Sequence, residues 1–372
     1  MTIRVLQVVT TMDIGGLETF IMNIYRNIDR TKVQFDFLKH RDTDSFFDEE
    51  IKKMGGRIYN VPPINPMHHK KYLNALDSFF EMNDEYKIVH SHINTYSMYV
   101  LRAAEKANIP VRVSHSHIAP AKKNIDLKLP FKLYTKNKLT EFTTHNFACG
   151  TEAGKWLYQN EKFQVVNNAI DANKFLYNNE ERINIRQKYN LENNYVIGHI
   201  GRFFHQKNHD FIIEVFKKIV DKNSNARLLL LGDGELRPEI EKKVEEYNLK
   251  EKVIFTGVQS NANEFLQAMD LFFMPSHFEG LPVTLVEAQA SGIQSVISDN
   301  ITDEVKITNL VESISLEQSP DYWAEHINKY SGGYQRKDMS EEIKNAGYDV
   351  KTTAKWLEEF YLREHYKHQK DN

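Results

Sequence analysis

Short apolar runs of strand length alternate with segments of helical periodicity along the first half of the chain. The first run, IRVLQVV at 3–9, is rich in Val and is followed by a polar turn, as expected of a strand buried on both faces. A helical segment follows at 17–28. Further strands are predicted at 33–38, 58–61, 87–90, 111–114, 146–149 and 164–166. Because strands alternate with helices, the connections cross over and the sheet is predicted to be mostly parallel.

A second series of the same kind begins near Tyr195. Its strands are predicted at 195–201, 226–232, 252–257, 270–275 and 294–298, and its helices at 208–221, 235–248, 261–268 and 282–291. The polar segment 171–194 between the two series is predicted to be a linker with one short helix, and the tail 340–368 has a helical apolar pattern. The pattern therefore predicts an α/β protein with two Rossmann-like domains.

The composition is that of a globular protein, with 372 residues, 41% of them hydrophobic and 27% charged. The single cysteine, Cys149, excludes an internal disulfide and a zinc site built from cysteines, and it fits a reducing cytoplasm. The net charge of −3 lacks the basic excess of a nucleic-acid-binding protein. No window approaches the roughly 18 apolar residues of a membrane-spanning helix, so we expect a cytoplasmic protein.

The charge is divided unevenly between the two halves. Residues 1–170 carry a net charge of +5, whereas residues 171–372 carry −8. The positive excess is concentrated in the segment 122–138, from Lys122 to Lys138, where six lysines are interleaved with apolar residues. Such a segment is suited to an anionic membrane surface, but a solvated, lysine-rich loop and helix would have the same composition.

Open parallel sheets bind ligands beyond the carboxyl ends of their strands, so residues that follow predicted strands are candidates for a site. Gly15 and Gly16 lie between the first strand and its helix, where backbone amides can approach a phosphate. They are not part of a GxGxxG motif, which argues against a nicotinamide cofactor. Arg202 and Lys207 follow the strand 195–201 and carry charges that suit a diphosphate. A plain turn and an ordinary pair of surface cations are the alternatives.

The most specific pattern is the segment 275–288, PSHFEGLPVTLVEA. Glu279 is predicted to lie in the loop and Glu287 about a turn and a half into the next helix, so that both carboxylates could accept hydrogen bonds from sugar hydroxyls. The free amides of the first turn, near Val283 and Thr284, could hold a phosphate. One capping glutamate and one surface glutamate would be the structural alternative.

These motifs resemble those of the retaining, family-four glycosyltransferases of the GT-B fold, which has two Rossmann-like domains with parallel sheets facing across a cleft. The most specific match is the spacing E-x7-E from Glu279 to Glu287, with GLP after the first Glu. Five further stretches match in order: MDIGGLETFIMNIY, VVNNAIDANKF, GHIGRFFHQKN, LLLLGDGELR and VIFTG. The sequence looks most similar to bacterial capsular and exopolysaccharide glycosyltransferases.

The resemblance implies an acceptor-binding domain at 1–170, a nucleotide-sugar-binding domain at 171–351 and a C-terminal helix at 352–372 that packs back on the first domain. It also implies transfer of a sugar, with retention at the anomeric carbon, from a nucleotide-diphosphate donor to a saccharide acceptor linked to a lipid. UDP is expected from the tendency of the family. No metal or other cofactor is expected. The enzyme would act at the inner face of the cytoplasmic membrane, held there by the segment 122–138.

The resemblance also implies roles for residues at matching positions. Arg202 and Lys207 would neutralise the leaving diphosphate. Glu279 would contact the donor sugar, Glu287 would hold the ribose, and His115 falls where the family often has a histidine near the donor sugar. The other implied donor-binding residues are Gly15, Gly16, Gly280, Leu281, Pro282, Val283 and Thr284, and the candidates for the acceptor side are His90, His92 and His117. Any of these histidines could equally be a structural hydrogen-bonding group.

The sequence departs from the family at two places. Ala169 follows Asn168 where the family usually has glycine, and Asn208 follows Lys207 where glycine is frequent. Asn208 is expected to cap the helix 208–221. Two other functions stay open: a soluble transferase or synthase with a small-molecule acceptor, and a sugar-nucleotide-binding protein that transfers nothing. The motifs do not encode the sugar, the linkage or the oligomeric state.

Overall fold

The chain folds into two compact units in a computed structural model that describes residues 2–65, 69–117 and 129–368. The first unit comprises Met1–Ala169 and Gly347–Asn372, and the second comprises Ile170–Ala346. The domain boundaries predicted from the sequence, after residues 170 and 351, lie one residue and five residues further along the chain.

The first unit is built on a seven-stranded sheet in the order β3-β2-β1-β4-β5-β6-β7, and every strand pair in its described residues is parallel. The strands are β1 Ile3–Val9, β2 Val33–Lys39, β3 Ile58–Asn60, β4 Ile88–Ser91, β5 Val111–Ser116, β6 His145–Ala148 and β7 Gln164–Val165. The helices are α1 Gly16–Asn27, α2 Asp48–Lys53, α3 His69–Met82, α4 Ser97–Lys106, α5 Leu129–Leu139 and α6 Thr151–Tyr158.

The second unit has a six-stranded sheet in the order β10-β9-β8-β11-β12-β13, which is also parallel. The strands are β8 Tyr195–Ile200, β9 Ala226–Leu231, β10 Val253–Gly257, β11 Leu271–Met274, β12 Ser295–Ser298 and β13 Val311–Ile314. The helices are α7 Asn179–Lys188, α8 His209–Lys222, α9 Arg237–Glu246, α10 Ala262–Ala268, α11 Val283–Ala290, α12 Pro320–Asn328 and α13 Ser340–Ile343. The strand β13 and the helix α12 were not predicted from the sequence. β13 is difficult to predict because it is a short edge strand whose first three residues are only half-buried.

The predicted helix over 340–368 is interrupted. Gly347 has a φ of 83°, outside the helical region, and Asp349 then begins a new helix, α14 Val350–Lys367, by accepting a hydrogen bond from the amide of Thr352. Helix α14 belongs to the first unit, where it packs against α1, β1 and β2.

Helices cover both faces of the first sheet. Side chains of a strand point alternately to the two faces, so apolar residues of one strand can pack against helices on both. Val5 of β1 lies in the apolar cluster that contains Phe360 of α14, whereas Leu6 lies in the cluster on the opposite face, with Leu76 of α3. This α/β architecture with two parallel sheets confirms the predicted fold class. The predicted facing of the two sheets across a cleft stays a prediction.

In each sheet the strand order reverses at one place. Chain connections leave in opposite directions on the two sides of the pair β1/β4 in the first sheet and of the pair β8/β11 in the second. A crevice forms at the carboxyl ends of the strands at such a switch point, and ligands of open α/β sheets bind there. Most of the predicted site residues lie at or after the carboxyl ends of these strands, and His115 and His117 lie at the end of β5, which is the neighbour of β4.

Candidate active site

In the second unit, the loops after β8 and β11 are joined by hydrogen bonds. The side chain of Gln206 donates to Oε2 of Glu279 at 3.0 Å, and its backbone oxygen accepts from the amide of His277 at 2.9 Å. The side-chain amide of Asn208 donates to the carbonyl oxygen of Pro275 at 3.0 Å. These bonds bring Arg202–Lys207 and the segment 275–288 together, although about 70 residues separate them in the chain.

Lys207 and Glu279 form an ion pair within this joined structure. The Lys207 Nζ lies 2.7 Å from Glu279 Oε1, and the two side chains are 17% and 7% exposed. An ammonium group has three donors and a carboxylate oxygen has more than one lone pair. The pair therefore orients both side chains while leaving donors on Lys207 and acceptor capacity on Glu279.

Two glycines allow the close packing behind Lys207. A Cβ at Gly201 would lie 2.8 Å from Nε2 of His199 and 3.1 Å from Cδ of Lys207. Gly232, at the end of β9, has a φ of 134°, and a Cβ there would lie 2.1 Å from the backbone oxygen of Gly201. Neither position has space for a side chain without movement of the loop that carries Lys207.

Helix α11 starts at Val283, one residue after the predicted first position, with Pro282 at its N-cap. Pro282 provides no side-chain hydrogen bond to the amides of the first turn, so the amides of Val283 and Thr284 are free of a side-chain cap. Leu281, Pro282 and Val283 are buried, while Gly280 and Thr284 are half-buried. The apolar residues thus anchor a helix N-terminus that has anion-binding character.

Glu287 is half-buried on α11. Among the residues that the structure describes, none donates a hydrogen bond to its carboxylate, and burial raises its pKa to about 7. A carboxylate with this environment has two free acceptor oxygens, which suits a pair of neighbouring hydroxyl groups.

Arg202 contrasts with Lys207. Its side chain is exposed, and its guanidinium carbon lies 5.3 Å from the ring centroid of Phe204. Within the described ranges it forms no ion pair, so its five donors are available to an anion.

The structure corrects the role expected of Asn208. It stands at the N-cap of α8 in the left-handed conformation, with a φ of 59°, but its side chain makes no capping bond because it binds Pro275 instead. Gln206 was not among the predicted site residues, although its side chain connects the two loops. A glutamine between two positions of a charged motif carries no signal of its own in a single sequence.

In the first unit, Gly15 and Gly16 begin helix α1. Gly15 is the N-cap and has an ordinary extended backbone. A Cβ at Gly15 would lie 2.4 Å from Oε2 of Glu18, so the glycine allows the Glu18 carboxylate to lie at the N-terminus of its own helix. A phosphate at this position would have to share the site with that carboxylate, and the phosphate role of the two glycines stays a prediction.

The four candidate histidines form one buried cluster. His90 and His92 lie at the end of β4, and His115 and His117 at the end of β5. Nε2 of His90 lies 3.2 Å from Nδ1 of His115, and Nδ1 of His92 lies 2.9 Å from Nε2 of His117. His115 is fully buried, whereas His117 is 9% exposed. The geometry favours His117 over His115 as the residue that touches a ligand, and a direct role of His115 stays a prediction.

Burial keeps these imidazoles neutral. It lowers the pKa of His90, His92 and His115 well below the ordinary value and that of His117 to about 3. One nitrogen from each of His90, His92 and His115 lies within 4.8 Å of the others, so these three are the residues of the described chain that could converge on a metal ion. In this structure all of their nitrogens except Nε2 of His115 make hydrogen bonds instead, and the expectation of no metal stays a prediction.

The basic segment 122–138 is described only in part. Lys122, Lys123 and Lys128 lie outside the described residues. On α5, Lys138 pairs with Glu141 at 2.6 Å, and the Nζ of Lys136 lies 5.3 Å from the ring centroid of Trp156. The positive charge of this helix is therefore smaller than its lysine count indicates. In the described part of the chain, no helix has the length and apolar character needed to cross a membrane.

Comparison with known proteins shows which family the chain belongs to. Residues 14–174 match the family described as Glycosyltransferase Family 4, and residues 181–349 match Glycosyl transferases group 1. EpsF of Bacillus subtilis strain 168, described as a glycosyltransferase, is 35% identical over 357 residues, which cover 93% of each chain. The chain therefore belongs to the family-four glycosyltransferases, as its motifs indicated.

Two further relatives bear on the pathway. The capsular polysaccharide biosynthesis glycosyltransferase CapH of Staphylococcus aureus is 25% identical over 97% of this chain and 99% of CapH. The UDP-Gal:alpha-D-GlcNAc-diphosphoundecaprenol alpha-1,3-galactosyltransferase of Escherichia coli is 26% identical over 66% of this chain and 67% of its own.

A solved structure supports the fold. HepE of Anabaena in complex with UDP and glucose superposes with a TM-score of 0.79 over 97% of this chain and 100% of its own, at 16% identity. The two parallel-sheet units are thus those of the GT-B fold.

Proposed function

We propose that this glycosyltransferase moves a sugar from a UDP-sugar to a lipid-linked saccharide during synthesis of a capsular or extracellular polysaccharide. The observation that carries the proposal is the Lys207–Glu279 pair at the switch point of the second sheet, with the unpaired carboxylate of Glu287 on the adjoining helix. The names of CapH and of the galactosyltransferase that uses a diphosphoundecaprenol-linked acceptor support the pathway and the acceptor class. HepE, with UDP bound, supports the choice of nucleotide.

The residues after β8 and β11 would bind the two ends of the donor differently. Glu287 would accept hydrogen bonds from the ribose hydroxyls, and the free amides at the start of α11 would hold the diphosphate together with Arg202 and Lys207. Glu279, oriented by Lys207, would accept from hydroxyls of the donor sugar. These interactions would stabilise the charge that develops on the leaving diphosphate.

The proposed reaction exchanges one bond at the anomeric carbon for another. The bond from that carbon to the diphosphate oxygen breaks, a bond to the acceptor oxygen forms on the same face, and the acceptor proton passes to the leaving phosphate. Retention of configuration follows from attack on that face. The four cluster histidines are neutral and so would contribute hydrogen bonds rather than charge.

A transfer assay tests this proposal. Purified protein is incubated in EDTA with UDP-glucose, UDP-galactose or UDP-N-acetylglucosamine and a lipid-diphosphate-linked monosaccharide, and the product is identified by mass spectrometry and by the anomeric coupling in its NMR spectrum. A product of retained configuration is expected. Inversion, a requirement for added metal, or transfer only to a free sugar phosphate would contradict the corresponding part of the proposal.

We also propose that α5 touches an anionic membrane. Leu133 and Tyr134 are 46% and 57% exposed beside Lys132 and Lys136, a combination suited to a lipid interface. Replacing Lys132, Lys136 and Lys138 by Gln removes three positive charges from α5 and should therefore reduce sedimentation with phosphatidylglycerol vesicles. The effect should be smaller than that of three free surface lysines, because Lys138 pairs with Glu141 and Lys132 and Lys136 are half-buried. The charge-matched control replaces the exposed lysines Lys242, Lys250 and Lys351. Equal losses for both triple variants, or no binding by the wild type, would overturn the proposal.

A further inference from the structure

The histidine cluster ends on two side chains that no motif singled out, Gln7 and Tyr361. Gln7 lies on β1 and is 1% exposed, and Tyr361 lies on α14 and is also 1% exposed. Oε1 of Gln7 lies 2.8 Å from Nε2 of His92, and the hydroxyl of Tyr361 lies 2.6 Å from Nδ1 of His90. A weaker bond of 3.5 Å runs from Nε2 of Gln7 to the same hydroxyl.

The direction of the hydrogen bonds in the first chain follows from Gln7. An amide oxygen only accepts, so Nε2 of His92 must carry the proton. A neutral imidazole has one N–H, so Nδ1 of His92 is an acceptor and the Nε2 of His117 must donate to it at 2.9 Å. His117 is thereby left with a lone pair on Nδ1, and the side chain of Asn168 is the one further hydrogen-bonding group of the described chain that interacts with this imidazole. The amide of Asn168 can donate to such a lone pair, so a substrate hydroxyl would have to replace it.

The second chain runs from Tyr361. Burial raises the pKa of Tyr361, so its hydroxyl keeps its proton. Gln7 Nε2 only donates to this hydroxyl, so Nδ1 of His90 is the acceptor within hydrogen-bond distance in the described chain for the hydroxyl's single proton. Nε2 of His90 then donates to Nδ1 of His115 at 3.2 Å. His115 is thereby left with a proton on Nε2. The backbone carbonyl of Val166 is the acceptor that faces this imidazole, although Nε2 forms no hydrogen bond of ordinary geometry in the described chain.

Each of the four imidazoles is neutral and therefore carries a single ring proton. Burial lowers the pKa of every one of them, and a pair in which both imidazoles were charged would place two N–H groups face to face. Period-two alternation along β4 and β5 puts all four rings on the sheet face that α14 covers.

We propose that Gln7 and Tyr361 are positioning residues that fix the tautomers of the four histidines, so that His115 offers an N–H and His117 a lone pair. The tautomers rest on the structure alone, whereas their use rests on the proposed function. There, the Nδ1 of His117 would accept a hydrogen bond from a substrate hydroxyl, and the Nε2 of His115 could only donate.

Long-range ¹H–¹⁵N correlation spectra of the ¹⁵N-histidine-labelled protein test this directly, since they show which ring nitrogen carries the proton. In the wild type, His90, His92, His115 and His117 should all carry the proton on Nε2. Tyr361→Phe should change or broaden the signals of His90 and His115 and leave those of His92 and His117. Gln7→Met should affect mainly His92 and His117. Signals are assigned with single His→Gln variants.

Tyr72→Phe is the matched control, because the Tyr72 hydroxyl makes a 2.7 Å bond to His40 in the same unit. It should change His40 alone. A proton on Nδ1 of His117 in the wild type, or unchanged spectra of both Tyr361→Phe and Gln7→Met, would overturn the proposal. If one variant fails to fold, as its thermal melt would show, the other and the wild type decide. Failure of the proposed function would appear instead as absence of sugar transfer while the tautomers are as stated.

Discussion

The two switch points have the same topology but opposite chemistry. At the pair β8/β11, Lys207 and Glu279 form an ion pair, Arg202 is exposed and Glu287 has an unpaired carboxylate. At the pair β1/β4, the cluster consists of neutral, buried histidines joined by hydrogen bonds. Charged groups thus surround the switch point of the second unit, where a diphosphate is proposed to leave. The switch point of the first unit has neutral groups, which are proposed to fix the direction of hydrogen bonds.

Substitution of Glu279 is expected to reduce the rate of sugar transfer more than any other change considered. Glu279→Gln keeps the shape but removes the charge, and we expect transfer to slow by about 10²–10³-fold, the range for loss of one preorganised electrostatic group. UDP affinity should change little, because this carboxylate is proposed to contact the sugar. Isothermal titration and the transfer assay measure the two quantities, with the exposed Glu239→Gln as control. Full activity of Glu279→Gln would refute the assignment.

The variants Lys207→Met and Arg202→Met compare the loss of a largely buried, paired cation with the loss of an exposed one. Both should weaken UDP binding, but only Lys207→Met leaves the nearly buried carboxylate of Glu279 without its cation, with Gln206 as its remaining donor. We expect a cost of roughly 3 kcal/mol in the free energy of unfolding. Urea unfolding of both variants checks this. Equal stability of the two would show that the ion pair does not hold the loops together.

Substitution of Gly232, which packs against the loop that carries Lys207, should reduce the stability of the protein almost as much. Gly232→Ala combines a positive φ with a Cβ 2.1 Å from a backbone oxygen, and we expect a loss of about 2 kcal/mol or more. Gly332→Ala, where nothing lies within 4 Å of the new Cβ, is the control and should change stability by less than about 1 kcal/mol. Thermal unfolding compares them, and similar melting temperatures would contradict the packing argument.

The smallest expected effect is a change in the affinity for UDP with pH. Because the pKa of Glu287 is raised to about 7, its ionised fraction grows as the pH rises from 6 to 8. The ionised form accepts both ribose hydroxyls, so UDP affinity should increase several-fold over this range, since one pH unit below a pKa leaves about a tenth of the group ionised. Glu287→Gln should bind more weakly at pH 8 and lose this part of the dependence. The same slope in both proteins would contradict the role of Glu287.

Much of this picture could be predicted from the sequence, for reasons that differ between elements. The strands and the E-x7-E motif were predictable because apolar runs and local spacing are encoded along the chain. The hydrogen bonds of Gln206 and Tyr361 were not, because they depend on which distant segments meet: Tyr361 is 271 residues from His90. The repeated His-Ser-His in two strands could have indicated a shared face, but nothing local identifies its partners.

The most direct measurement is a thermal-shift panel of UDP-, GDP- and ADP-sugars in EDTA on the wild type and Arg202→Met. A ligand that binds only the native state raises the melting temperature by mass action. We expect UDP-sugars to raise the melting temperature of the wild type and to raise that of Arg202→Met much less. Without ligand, Arg202→Met should melt at the same temperature as the wild type. No shift at millimolar nucleotide sugar, or equal shifts in the two proteins, would contradict a donor site at the carboxyl ends of β8 and β11.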